Sequence, residues 1–188
     1  MSKNTHYFYA VSLPSEAKRL LQEETNRLKE ELSFSRWVHQ EDYHITLAFL
    51  GFAPQEQLHK SIAIIEKKLK NNHSFPLLIQ GLGTFGRNDS PRIFWADVEH
   101  KQALHNIRNE VYSACVEAGF ELEKRPFKPH LTLARKWTGE TSFNPESLMK
   151  MDIAGIPFEV TEVVLYQTHL DRTPKYEAVH TFSLHNRS

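Results

Sequence analysis

A chain of 188 residues with 40% hydrophobic and 11% aromatic content can pack one domain or two small lobes, which excludes a disordered chain. Lys and Arg total 23 against 23 Asp and Glu, so the basic excess of a protein that tracks along a nucleic-acid duplex is missing; a short end suits it better. The single cysteine, Cys115, excludes an internal disulfide, and no run approaches the ~18 apolar residues of a membrane span, so a soluble cytoplasmic protein is expected.

In chain order, "HYFYAVSL" (His6 to Leu13) reads as an aromatic and β-branched strand stopped by Pro14, with Ser15 placed to cap the next helix. Leu20, Leu21, Leu28 and Leu32 recur at helical spacing through "SEAKRLLQEETNRLKEEL". "YHITLAFLG" is a strand ending at Gly51, and "PQEQLHKSIAIIEKKLK" a second helix starting near Pro54. "FPLLIQGLGTFG" and "RIFWADVEH" form two strands across the turn "RNDSP". A third helix covers "KQALHNIRNEVYSACVEAG", stopped by Gly119, with Cys115 on its buried face. "HLTLARKW" is a further strand, and "FEVTEVVLYQTHL" with "YEAVHTFSL" closes the chain as a hairpin across "DRTPK". This order predicts two α+β lobes related by a pseudo-twofold, with one interleaved sheet as the alternative.

The two strands "YHITLAFLG" and "PHLTLAR" repeat His-apolar-Thr-Leu-Ala. Side chains two apart share a strand face about 6.6 Å from one another, so His44 stands beside Thr46 and His130 beside Thr132, with aliphatic residues behind. Chance predicts about 0.6 His-x-Thr triplets in such a composition, so one copy means little and two extended copies carry weight. Two imidazoles, titrating near pH ~6.5, suit chemistry in which one group accepts a proton while another donates one. Facing each other across a cavity they would serve an in-line displacement at phosphorus, the threonine hydroxyls donating to non-bridging oxygens. Two histidines alone are too few for a catalytic zinc site, and Asp42 shares a face with His44 only where the strand already runs in regular pleat; no HExxH, CxxC or G-x-S-x-G elbow is present.

The paired H-x-T motifs resemble those of the 2H phosphoesterases. The fuller pattern is similar to the bacterial and archaeal RNA 2',3'-cyclic phosphodiesterases, the 2'-5' RNA ligase-like or LigT-like branch. It runs through "YFYAVSLP", "YHITLAFLG", "RIFWADV", "RPFKPHLTLAR" and "VTEVVLYQTHL". The resemblance implies an α+β, bilobal pseudo-twofold fold with mostly antiparallel sheets lining a central cleft and helices outside. It implies one domain of two interleaved lobes over residues 1–188, and no metal or other cofactor. The implied reaction is hydrolysis of a 2',3'-cyclic phosphate to a 2'-phosphomonoester, with RNA 3' ends or small cyclic nucleotides as partners of a monomer. The family makes His44 the proton donor and His130 the acceptor, a division that the residue types alone leave open.

Arg135, five residues after His130, matches the family's arginine after the second motif, and a guanidinium fork suits a phosphate. A regular strand would aim it away from His130, so a bulge or the strand's end must redirect it. The same offset after His44 reaches Phe49, and Tyr9 stands on the first strand; each is a candidate for stacking on a base, with core packing as the alternative. Trp37 and Trp95 are expected in the core or the cleft wall. Two further readings stay open from sequence: 2'-5' RNA ligation by the same site, and a non-catalytic module that binds RNA ends.

Overall fold

The computed structural model describes residues 5–186. Its strands are β1 (His6–Ser12), β2 (Phe34–Trp37), β3 (His44–Phe52), β4 (Phe75–Gly86), β5 (Pro91–Val98), β6 (His130–Trp137), β7 (Ile156–Val160), β8 (Glu162–Thr168) and β9 (Tyr176–Ser183). The α-helices are α1 (Ser15–Lys29), α2 (Gln55–Leu69), α3 (Gln102–Glu117) and α4 (Glu146–Lys150). The strands form two antiparallel sheets, one ordered β3-β1-β8-β9 and the other β2-β6-β5-β4-β7. Each sheet carries one copy of the repeated strand, β3 in the first and β6 in the second. The fold is α+β with two sheets, and the alternative of a single interleaved sheet falls.

The sheets do not divide the chain at its middle. The first joins β1 and β3 to the C-terminal pair β8 and β9, while β2 crosses into the second sheet and pairs with β6. The run "FEVTEVVLYQTHL", expected as one strand, breaks at Thr161. Residues before it pair with β4, and residues after it pair with β1. Continuous β propensity hides this break, because nothing in the side chains marks the passage from sheet to sheet.

Helix ends follow local chemistry with one correction. Pro14, not Ser15, occupies the N-cap of α1, and its carbonyl accepts the Lys18 N–H at 3.1 Å. Ser15 is already helical. At the end of α3, Gly119 takes φ +99°, and the Phe120 N–H reaches the Cys115 carbonyl at 3.0 Å, a Schellman closure that favours glycine. Cys115 is buried on α3, and burial pushes its thiol up to about 12. The buried apolar side chains of both sheets and helices α1–α3 join in one continuous core. A second small cluster of Phe8, Ala10, Val164 and Tyr166 lies on the other face of the first sheet, with Tyr176 against it. No helix among the described residues is long and apolar enough to cross a membrane.

Candidate active site

Alternation along β1 decides which aromatic ring meets the first histidine. Phe8 lies 4.8 Å from the His44 ring, centroid to centroid, while Tyr9 points through the sheet. Tyr9 is fully buried, and its hydroxyl donates to Ser61 Oγ on α2 at 2.6 Å, the Ser61 hydrogen going to the Leu58 carbonyl. The expectation that Tyr9 meets substrate is therefore corrected: the parity of the strand gives that face to Phe8 and commits Tyr9 to the core.

His44 is held from both ends of its ring. Its Nδ1–H donates to the Asp42 carbonyl at 2.7 Å, which leaves Nε2 as the acceptor, 3.0 Å from Thr46 Oγ1. Phe8, Tyr176 (5.2 Å, edge-on) and Tyr166 (6.1 Å) surround the ring. Burial among these groups pushes the His44 imidazole down to about 4, against the pull of Asp42; charges on His130 and Arg135 add to the depression.

His130 repeats the arrangement in the second sheet. Its Nδ1–H donates to the Lys128 carbonyl at 2.8 Å, again two residues back, so its Nε2 is likewise free of the backbone. Its neighbours differ: Phe85 edge-on at 4.9 Å, Trp95 at 6.1 Å, and Asp97 opposite it in the β5–β6 register. Burial lowers the His130 pKa, with Lys128 and Arg135 adding to it and Asp97 opposing. Thr132 is half-buried, opposite Trp95 on β5.

The five-residue offset is resolved by a matched irregularity in both strands. Opposite β1, Ala48 and Thr46 pair with consecutive residues and Leu47 is passed over. Opposite β5, Ala134 and Thr132 pair with consecutive residues and Leu133 is passed over. The Leu-Ala pair is buried in each copy, and the extra residue returns position five to the histidine face. Arg135 is thereby turned, half-buried, to the face of the two histidines, where its positive charge opposes protonation of both His44 and His130 and is felt at Tyr176 of the opposite sheet. Phe49 arrives across from Phe8, 57% exposed, with its ring edge-on to His6 at 5.9 Å.

Asp42, set beside His44 in sequence, does not turn toward it. Its carboxylate, 3% exposed, accepts the backbone N–H groups of Lys175 and Tyr176, each at 3.1 Å. It fixes the β8–β9 turn that presents Tyr176 to the site. Sequence reading missed this role, together with Phe8, Tyr176 and Lys128. Of these only Phe8 carried a signal, the parity of β1. Trp95 belongs to the cleft wall beside His130, whereas Trp37 packs with Phe34 and Phe94 in the core.

Two sheets thus each offer an imidazole with a threonine hydroxyl two residues on, and the charge of one guanidinium, Arg135, is felt at both imidazoles, the doubled-histidine pattern of a phosphoesterase class. The sequence model of the 2'-5' RNA ligase superfamily matches residues 17–172. A Geobacillus stearothermophilus protein named RNA 2',3'-cyclic phosphodiesterase is 46% identical over 182 residues, 97% of this chain and 58% of that protein. A Bacillus subtilis protein of the same name is 36% identical over 187 residues, covering 95% of this chain and 96% of that one. Among solved structures, Escherichia coli LigT complexed with 3'-AMP superposes with a TM-score of 0.78 at 22% identity, over 97% of this chain and 99% of that one. The chain belongs to the 2'-5' RNA ligase superfamily, the 2H phosphoesterases.

Proposed function

We propose that this protein hydrolyses the 2',3'-cyclic phosphate of RNA or nucleotide ends to a 2'-phosphomonoester, with His44 and His130 as acid and base and no metal. The carrying observation is the matched pair of imidazoles, each tied through Nδ1 to a carbonyl two residues back and each with Nε2 free of the backbone. The name borne by the Geobacillus and Bacillus relatives supports the same reaction.

In the free protein, burial keeps both imidazoles neutral near pH 7. A bound cyclic phosphate is an anion, and its charge beside His44 favours a proton there. His130 Nε2 takes the proton of the attacking water as the oxygen bonds to phosphorus. The bond from phosphorus to O3' breaks, and the proton on His44 Nε2 passes to that oxygen. Proton exchange with solvent restores both rings. Thr46, Thr132 and Arg135 donate to the non-bridging oxygens, where charge grows in the transition state. Phe49 offers a stacking face for the terminal base. Water in large excess directs the site to hydrolysis rather than ligation.

The test is turnover of 2',3'-cyclic AMP in EDTA with identification of the product. The expected product is the 2'-phosphate, with a bell-shaped pH profile and a loss of roughly 10²–10⁴-fold in both His44→Ala and His130→Ala. Loss of turnover in EDTA, or 3'-phosphate as the product, overturns the reading.

A further inference from the structure

On the assumption that the site is the hydrolase described above, we infer that Lys128, seated on the ring faces of Phe85 and Trp95 beside His130, forms a subsite for the phosphate preceding the cyclic end. The substrate class is then an RNA end of two or more nucleotides rather than a free mononucleotide.

Lys128 Nζ lies 5.2 Å from the Phe85 ring centroid and 4.8 Å from that of Trp95. The residue is exposed, and its ammonium enters no ion pair among the described residues. Asp97 stands opposite His130 in the ladder, but one of its oxygens accepts the Val98 N–H at 2.9 Å. An ammonium resting on ring faces keeps its N–H donors for an anion, and a phosphate is the anion that an RNA substrate supplies. The subsite is tied to the chemistry through the main chain, because the Lys128 carbonyl is the acceptor that orients His130.

The shelf beneath the lysine is built for contact. A Cβ on Gly83 would stand 2.2 Å from the Trp95 ring, so only glycine lets the indole lie flat on β4. Trp95 is 6% exposed, yet its indole N–H has no acceptor among the described residues. A buried donor without an acceptor is rare, and the pairing is one that a water or a substrate oxygen would complete. Trp95 also lines an open concavity of about 570 Å³ with Gly83, Thr84, Met149, Met151 and Asp152, space for a nucleotide whose phosphate stays at the lysine, away from Asp152. A cation, flat aromatic faces and an open channel are what binding single-stranded nucleic acid requires.

The experiment compares kcat/KM for 2',3'-cyclic AMP and for a cyclic-phosphate-terminated adenosine dinucleotide, in wild type, Lys128→Met, Lys128→Arg and Arg36→Met. Arg36 pairs with Arg135 at the far edge of the same sheet and is the competing cation. Wild type is expected to prefer the dinucleotide, and Lys128→Met to lower that preference about tenfold, chiefly through KM. The same variant should flatten the slope of log kcat/KM against log salt for the dinucleotide by about 0.7, the share of one single-strand phosphate contact. Lys128→Arg should keep the preference. An unchanged preference in Lys128→Met, an equal loss on both substrates, or a loss confined to Arg36→Met overturns the assignment. If wild type turns over neither substrate, the hydrolase reading falls separately, and the same preference is read from dissociation constants.

Discussion

The two repeated strands are alike within themselves and unlike in what surrounds them. Both orient the imidazole through a carbonyl two residues back, and both pass over a leucine to bring position five around. Around His44 stand three aromatic rings and a turn pinned by Asp42; around His130 stand a phenyl ring, an indole, a lysine and an aspartate opposite. The strands make two matched units, and the groups that surround each imidazole differ; burial lowers the pKa of both. Position five differs too, since Arg135 is half-buried with its charge felt at Tyr176, whereas Phe49 is open to solvent.

That comparison can be broken at several points. The largest effect is expected at Arg135: Arg135→Met should lower kcat by about 100-fold, the scale of one lost transition-state donor, with Arg135→Lys recovering only part. Asp42→Asn comes next. Its amide N–H₂ would confront one of the two backbone N–H groups, loosening Tyr176 and the carbonyl that orients His44. The expected result is a kcat loss of about tenfold together with a shift in the acid limb of the pH profile, a readout that simple destabilisation leaves unmoved. A smaller effect belongs to Phe49→Ala, about fivefold in KM with kcat held, matching the low end of stacking on a half-open face.

A further measurement sharpens the comparison through stability. Because His44 is depressed on folding, the unfolded chain binds the proton more readily. Its contribution is present above the unfolded pKa of about 6.5 and is lost as pH falls toward about 4. The thermal midpoint should therefore drop between pH 7 and pH 4.5, and drop less in His44→Gln. An equal drop in both proteins would place the acid sensitivity elsewhere.

Much of this was legible in the residue order, for identifiable reasons. Strand parity and the doubled triplet placed His44, Thr46, His130 and Thr132 on backing aliphatics, because those signals are local. The need for a bulge before Arg135 followed from the same parity. What escaped reading depends on partners distant in sequence. Four residues, Phe34–Trp37, are too few to show alternation, and they become a strand only against β6. Thr161 resembles its neighbours, yet the chain changes sheets there. Asp42 could be weighed from sequence only as a third metal ligand beside His44, whereas the backbone of Lys175 and Tyr176, far along the chain, takes both of its oxygens. Strand parity sets Phe8 and Tyr9 on opposite faces, and the register against β3 decides which of the two faces His44.

The passage at Thr161 also governs how the molecule can be made. On the ribosome, β1 and β3 emerge early, yet β1 reaches its second neighbour only when β8 follows, some 150 residues later by the pairing of Val11 with Val163. Until then one edge of a strand whose middle five residues are all buried stays open, a template for unwanted association. Cutting this chain at its midpoint would yield two fragments that each lack part of both sheets, so complementation by co-expression, rather than independent folding, is the only route by which split halves could regain activity.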